Sequence, residues 1–303
     1  MTQSAQQASE AKHVLVAGIS SRLGRSVALE LLRRGHRVRG LSRKPLSDLP
    51  SSIEHFSADC LRAEPIDACQ GITHVFSCVG ACVQPDLRLG RASFPRFDLP
   101  ANLNLLRAAE SAGVAHFTYV SVAGAERTRH LAYVDAHEQV AEAIQRSKLS
   151  ACIVRPTGFF SALEAMLPMA KRGLVPLMGD GNAVTNPIAD EDLAIVCVDG
   201  IEGAFSEREV GGPETLSRRR IAELAFEAWD KAPRTPALPV FFTKLSGYML
   251  RPLNPRVADL MHFYAHVMTH DCVAESFGQR SLANHFRAKA QASIKALPAA
   301  SNN

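Results

Sequence analysis

No apolar run in the 303-residue chain approaches the ~20 residues that span a bilayer, so an integral membrane segment is not expected. The opening stretch MTQSAQQASEAK is polar and has no apolar core of the kind a secretory signal needs. A soluble, cytoplasmic protein is therefore expected. Long basic runs are also missing. The net charge is only +4, and the clusters RLGR, RRGHRVRGLSRK and LSRRR have few aromatic residues between them. That pattern does not indicate nucleic acid as a partner, and an anionic cofactor would use the same arginines more economically. Seven cysteines, at positions 60, 69, 78, 82, 152, 197 and 272, are an odd number and sit mostly in apolar segments. Buried thiols in a reducing compartment fit them better than a disulfide scaffold. Cys78 and Cys82 stand four apart, but no second pair completes a zinc site, so no metal is expected there. Internal repeats are absent too.

What is present is a core. Hydrophobic residues make up 47% of the chain, enough for one large domain or a domain with a lobe. Short β-type runs alternate with helical spacing: HVLVAG at 13–18, HRVRGLSR, IEHFSADC at 53–60, the nearly all-apolar HVFSCVGA at 74–81, HFTYVSVAGAE and SACIVRPTGFF. Helices are expected between them, with Leu23, Val27, Leu31 and Leu32 on one face of the first, closed by Gly35. Others are expected in PIDACQG, over 98–114 and over 132–148. This alternation predicts an α/β protein with a doubly wound parallel sheet, whose ligands bind beyond the carboxyl ends of the strands. Past residue 160 the pattern loosens. Helices are expected from near Asp190 and after Ser217, a plausible N-cap, and the rest is apolar and broken by prolines. The expected organisation is a nucleotide-binding domain over 12–160, a smaller, mostly helical lobe over 161–295 interleaved with it, and flexible ends at 1–11 and 296–303.

The stretch AGISSRLG lies between the first strand and the first helix, the context that raises a glycine motif above background. Gly18 can make the tight turn and Gly24 permits close helix–strand packing. Behind Ser20 and Ser21, with Arg22 and Leu23, the helix start offers free N–H groups and a positive dipole end to a pyrophosphate. Ser21 replaces a third glycine, yet its hydroxyl can donate to a phosphate oxygen. The plainer alternative is an ordinary βα turn.

VLVAGISSRLGRSVALELLRRGHRVRGLSR resembles the opening of atypical short-chain dehydrogenases of the NmrA-like, NAD(P)-binding kind, whose fold is the Rossmann sheet. The likeness continues through SADC, FSCVGA, DLPANLNLLRAAESAGVAHFTYVSVAGAE, LSACIVRPTGFF and GDGNAVTNPIADEDLA, over roughly residues 13 to 215. It implies that Asp59 and Cys60 flank the adenine, that Cys78, Val79 and Gly80 line the ribose side, and that Asn102 supports the strand ends. Pro156, Thr157 and Gly158 would abut the nicotinamide, with Phe159 and Phe160 walling the substrate or serving the core. The second strand ends in Ser42, Arg43 and Lys44 where an NAD-preferring enzyme usually has an acid. Guanidinium groups, with Arg22 in reach, suit a 2′-phosphate, so NADP(H) is expected over NAD(H). Arg43 and Lys44 as merely solvated charges is the alternative.

Enzymes of this class commonly use Tyr-x3-Lys. The matching segment here is YVDAH, placing Tyr133 and His137 one turn apart on a helix. A neutral imidazole could hold a ribose hydroxyl but would do little for the phenol, whereas a protonated one could do both and could itself be the acid. Ser121 is the candidate helper hydroxyl, with Ala123 where one more often sits. Packing of the Tyr133 ring, and a local hydrogen bond for His137, are the alternatives. His262, His266 and His270 recur at helical spacing with no interrupting glutamate; an amphipathic helix with a polar stripe fits them better than a metal. The chain is thus expected to be an NADP(H)-dependent oxidoreductase, monomeric or a homodimer, acting on a small or medium apolar carbonyl or activated alkene. A non-catalytic NADP(H)-binding redox sensor or assembly protein is the rival, and a transiently oxidising isomerase the third possibility.

Overall fold

A computed structural model describes residues 11–81, 83 and 91–295. The ends expected to be flexible, save Ala11, lie outside the described residues, as does Cys82. The strands are β1 (His13–Ala17), β2 (Arg37–Ser42), β3 (Ile53–Ser57), β4 (His74–Ser77), β5 (His116–Val120), β6 (Ser150–Pro156), β7 (Leu177–Met178), β8 (Val184–Thr185), β9 (Glu207–Gly211), β10 (Leu216–Ser217), β11 (Ala237–Leu238) and β12 (Glu275–Ser276). The helices are α1 (Arg22–Arg33), α2 (Ile66–Cys69), α3 (Phe94–Ser111), α4 (Ala125–Thr128), α5 (Ala132–Arg146) and α6 (Phe160–Leu163), followed by α7 (Met166–Lys171), α8 (Asp190–Ile201), α9 (Arg218–Glu227), α10 (Val240–Leu250), α11 (Pro255–Val267) and α12 (Leu282–Lys295).

Eight strands form one parallel sheet in the order β12-β9-β6-β5-β4-β1-β2-β3. The chain winds outward from β1 to β3, then returns to β4 beside β1 and winds the other way. The switch point between β1 and β4 is where such sheets open a ligand crevice. Alternation within β1 explains why both faces are covered. Val14 and Val16 join Leu23, Val27, Leu31, Leu193 and Val196 on one side, where α1 packs with α8. Leu15 and Ala17 join Leu105, Phe117, Tyr119, Val140 and Ile144 on the other, where α3 packs with α5.

Helix ends follow their local chemistry. Gly35 takes φ +83° after α1, and the amides of Gly35 and His36 close onto the carbonyls of Leu32 and Leu31. Gly113 ends α3 in the same way. α3 begins at Phe94, four residues ahead of the expected Asp98, because Pro95 suits a first turn and Phe94 is buried there. Two strands of the large sheet, β9 and β12, escaped the periodicity reading. β9 is mostly charged (EREVG) because its first three residues lie near the sheet margin, and β12 has only two residues. The later segments build a second core from Phe160, Leu167, Leu177, Ile221, Phe226, Leu282 and Phe286. Asn186 ties this lobe to the sheet: its amide donates to the carbonyls of Gly212 (3.2 Å) and Ala274 (2.9 Å) and its oxygen accepts from the Ala274 amide. No helix among the described residues is long and apolar enough to cross a membrane.

Candidate functional site

The loop after β1 is built to leave backbone amides free. Gly18 holds φ +89°, and a Cβ there would come within 2.9 Å of the Cys78 carbonyl oxygen. A Cβ on Gly24 would meet the Gly18 carbonyl oxygen at 2.4 Å, so α1 presses on the turn more closely than any side chain allows. Ser21 caps the helix, its Oγ accepting from the Gly24 amide at 3.0 Å. The same Oγ lies 3.3 Å from Cys78 Sγ. The amides of Ser20, Arg22 and Leu23 find no acceptor among the described residues. Free N–H groups at the positive end of a twelve-residue helix, over a turn no side chain can fill, fit the pyrophosphate of a dinucleotide. Gly18, Ser20, Ser21, Arg22, Leu23 and Gly24 would hold it.

At the end of β2, Arg43 and Lys44 are exposed, and the Arg43 guanidinium stands 5.9 Å from the Phe97 ring centroid. Arg22 points elsewhere. It forms a two-pronged ion pair with Glu164, which also receives His285 at 2.8 Å. Arg22 therefore ties the loop to the second lobe, and binding a 2′-phosphate would require it to give up a matched carboxylate. Asp59 Oδ1 accepts from the Leu61 amide at 3.1 Å. Burial pushes the Cys60 and Cys78 thiols up to about 11, so both are protonated at neutral pH. Val79 is half-buried and Gly80 exposed. Asn102 is fully buried, accepting from Ser77 Oγ at 2.6 Å and donating to the Val79 carbonyl at 3.0 Å. It fixes the chain leaving β4.

A cavity of about 540 Å³ opens between the carboxyl ends of β5 and β6 and the inner face of α11. Ser121, Tyr133, Pro156, Thr157, Gly158 and Phe159 line it from the sheet side; Phe263, Tyr264, His266 and His270 line it from the lobe. It does not reach Phe160, which is buried in the second core. Thr157 Oγ1 donates to the Asn186 carbonyl at 2.6 Å and Gly158 takes φ +154°, holding the loop after β6 open. His266 and His270 stack face to face at 4.0 Å, while His262 packs against Tyr248 on α10.

The three residues singled out for proton chemistry are brought together, with different surroundings than their sequence suggests. Tyr133 meets His137 edge to face, ring centroids 4.7 Å apart. Burial holds the Tyr133 hydroxyl well above its usual range, and the Asp98 charge adds to this. His137 stands behind Tyr133, outside the cavity lining, and its Nδ1 shares a 2.8 Å hydrogen bond with the Tyr119 hydroxyl. Burial pushes the imidazole down to about 4, so it is neutral at pH 7. The protonated imidazole considered from the sequence is corrected by this burial. Ser121 Oγ donates to Glu138 Oε1 at 2.8 Å, and Glu138 is also paired with the buried Arg155. A hydroxyl so committed serves as a fixed dipole at the cavity wall.

The residue that sequence reasoning missed is Asp98. It is fully buried on α3, its Oδ1 accepts from the Ala81 amide at 2.7 Å, and its Oδ2 has no hydrogen-bond partner among the described residues. Burial raises its carboxyl to about 7. A signal was present: Asp98 opens the DLPANLN segment and stands four residues ahead of Asn102, which puts the two on one helix face.

A parallel sheet with an open switch point, a glycine turn and free amides at α1 define a dinucleotide-binding α/β protein. Comparison with known proteins agrees. Residues 18–203 match the model of a family described as NAD(P)H-binding. The rice (Oryza sativa subsp. indica) chloroplastic divinyl chlorophyllide a 8-vinyl-reductase is 32% identical over 280 residues, covering 82% of this chain and 67% of that one. The photosystem II assembly factor Ycf39 of Trieres chinensis is 24% identical over 245 residues, covering 77% and 74%. This chain spans about two thirds of the vinyl reductases it matches, 67% of the rice protein and 62% of the maize one. Among solved structures, UDP-glucose 4-epimerase of Thermus thermophilus in complex with NAD superposes with a TM-score of 0.62 at 20% identity, covering 75% and 86%, a likeness of fold. The chain belongs to the NAD(P)H-binding family, as an atypical short-chain dehydrogenase of the NmrA-like type.

Proposed function

We propose that this protein is an NADP(H)-dependent oxidoreductase that reduces an activated alkene or carbonyl on a largely apolar substrate. The observation that carries the reading is the placement of Tyr133 in the wall of a cavity bounded by Pro156, Thr157 and Gly158, at the same sheet edge as the free amides of α1. When bound, the reduced nicotinamide would supply the hydride. The chain's own residues would do the rest. Tyr133 stays protonated at neutral pH and can give its proton to the substrate, while Asp98, whose charge acts on Tyr133 and which titrates near 7, could store a proton. Neutral His137, anchored by Tyr119, would hold the Tyr133 ring in place. Arg43 and Lys44 support the 2′-phosphate preference, being exposed and free of acidic neighbours in the ion pairs of the described residues. The vinyl-reductase name of the rice relative favours an alkene.

A second reading, an NADP(H)-binding assembly or sensing protein without turnover, is favoured by the missing lysine. An uncharged, buried His137 cannot lower the Tyr133 pKa as a lysine ammonium would, and one relative is named an assembly factor. Turnover decides between them. NADPH oxidation is measured against a panel of enones, vinyl arenes and ketones, in wild type and Tyr133→Phe. Oxidation that falls at least tenfold in the variant, with NADPH affinity unchanged, supports the enzyme. No oxidation in either protein, with NADPH bound, supports the second reading.

A further inference from the structure

The cavity wall contains a buried cation that has no ion pair among the described residues. Arg218, the first residue of α9, is 93% buried by its 7% relative exposure and lines the cavity. Among the described residues its Nε has no hydrogen-bond partner and no carboxylate lies within ion-pair distance of its guanidinium. Burial pulls its pKa below the usual arginine value, the mark of a charge removed from water without full repayment by neighbours. Thr185 lies on the neighbouring strand, opposite Leu216 two residues before Arg218, and bridges to Cys272. Thr185 lines the same cavity, and its buried hydroxyl also lacks a hydrogen-bond partner among the described residues. Of the three residues with a buried side-chain atom left without a hydrogen bond among the described residues, two therefore belong to the wall of one cavity.

The other charges in that lining are few. Arg127 faces the cavity as a second cation, and Asp271 as the one carboxylate, its Oδ1 already accepting from the Val184 amide at 2.8 Å. His266 is held down at about 4 by burial and is neutral. Buried guanidinium and hydroxyl groups left unpaired in the wall of a mostly apolar cavity are costly unless a ligand completes them.

We propose that Arg218 and Thr185, with Arg127, form an anionic subsite in this cavity, and that it takes the carboxylate of an otherwise apolar substrate. The surroundings favour a monoanion: Arg218 is the buried cation of the lining, Arg127 and Asp271 are exposed, and Glu209 stands close by on the Gly124 amide, so one charge is better matched by a carboxylate than by a phosphate dianion. The inference deepens the oxidoreductase reading, since it names the handle by which a substrate would be held in the cavity that Tyr133 faces.

The test uses the full chain, with and without NADPH, and three probes: 4-phenylbutyrate, 4-phenylbutyramide and 4-phenylbutylphosphonate, titrated calorimetrically. The carboxylate is expected to bind at least tenfold more tightly than the amide and more tightly than the phosphonate at pH 8. Arg218→Gln should equalise carboxylate and amide, and Thr185→Val should weaken the carboxylate alone by about threefold. Arg218→Met, with no probe, should melt at or above the wild-type temperature, because it removes an unpaired buried charge. Equal binding of carboxylate and amide to wild type, undetectable binding of both, or a preference that survives Arg218→Gln overturns the proposal. So does a clearly lower melting temperature for Arg218→Met, which would make the guanidinium a structural element. The NADPH titration is read separately: failure to bind nucleotide sinks the oxidoreductase reading and leaves the carboxylate preference standing or falling by itself.

Discussion

His137 Nε2 stands 3.9 Å from Asp98 Oδ2, and burial moves the two groups in opposite directions. The imidazole is pushed down to about 4 and the carboxyl up to about 7. At neutral pH the pair is therefore a neutral histidine beside a half-protonated acid, and the titration nearest neutrality belongs to Asp98. Tyr133 touches the His137 ring edge to face and feels the Asp98 charge, which holds its hydroxyl further above its usual range. Proton supply to the cavity is thus expected to follow the carboxyl and not the imidazole.

Burial of Asp98 makes stability depend on pH. The folded value of Asp98 lies above its ordinary 3.8, so its contribution is complete below that value and is lost as pH rises through about 7. Asp98→Asn keeps an acceptor for the Ala81 amide and removes the charge. Relative to wild type it should gain roughly 1 kcal/mol or more at pH 8, with the gain shrinking toward pH 4. His137 acts with the opposite sign between 6.5 and about 4, and it cancels because both proteins contain it. Urea unfolding at the two pH values checks this, and a difference that does not change with pH contradicts it.

Gly24→Ala should damage binding and folding together. Its Cβ would fall 2.4 Å from the Gly18 carbonyl oxygen, so the turn must move. A loss of about 1–3 kcal/mol is expected, with at least a tenfold fall in NADPH affinity. Gly35→Ala is the comparison: φ there is +83° but no atom lies within 4 Å of the new methyl group. It should cost about 1 kcal/mol and leave nucleotide affinity unchanged. Denaturant midpoints and fluorescence titrations separate the two.

Glu138→Ala should cost about 3 kcal/mol, because it strands the buried Arg155 guanidinium and removes the acceptor of Ser121. Arg155 keeps Glu207 as a second partner, which limits the loss. Ser121→Ala should cost only about 1 kcal/mol. Equal costs for the two substitutions, measured by urea unfolding, would contradict the hierarchy drawn for this cluster.

Much of this site is legible in the sequence. The strand–glycine–helix order of HVLVAGISSRLG places Gly18 and Gly24 where the geometry needs them, because only glycine survives those contacts. Spacing of Tyr133 and His137 puts them on one helix face, and they do meet. What spacing cannot carry is partnership across the chain. Arg22 looks available for a phosphate until Glu164, 142 residues away, is folded against it. His137 looks like a neutral-pH switch until α3 and β5 bury it. β9 hides because its charged residues lie at a sheet margin, where period-two alternation fades. Arg218 hides within the basic string LSRRR, where only folding distinguishes the one buried side chain from its exposed neighbour Arg220.

The most direct measurement is a fluorescence titration of the purified protein with NADPH and NADH, in wild type and in Arg43→Asp. NADPH is expected to bind wild type at micromolar concentration or below and more tightly than NADH, and Arg43→Asp should shift the preference toward NADH by at least tenfold. Failure of both nucleotides to bind wild type at micromolar levels would contradict the central claim, and an unmoved preference in Arg43→Asp would remove Arg43 from it.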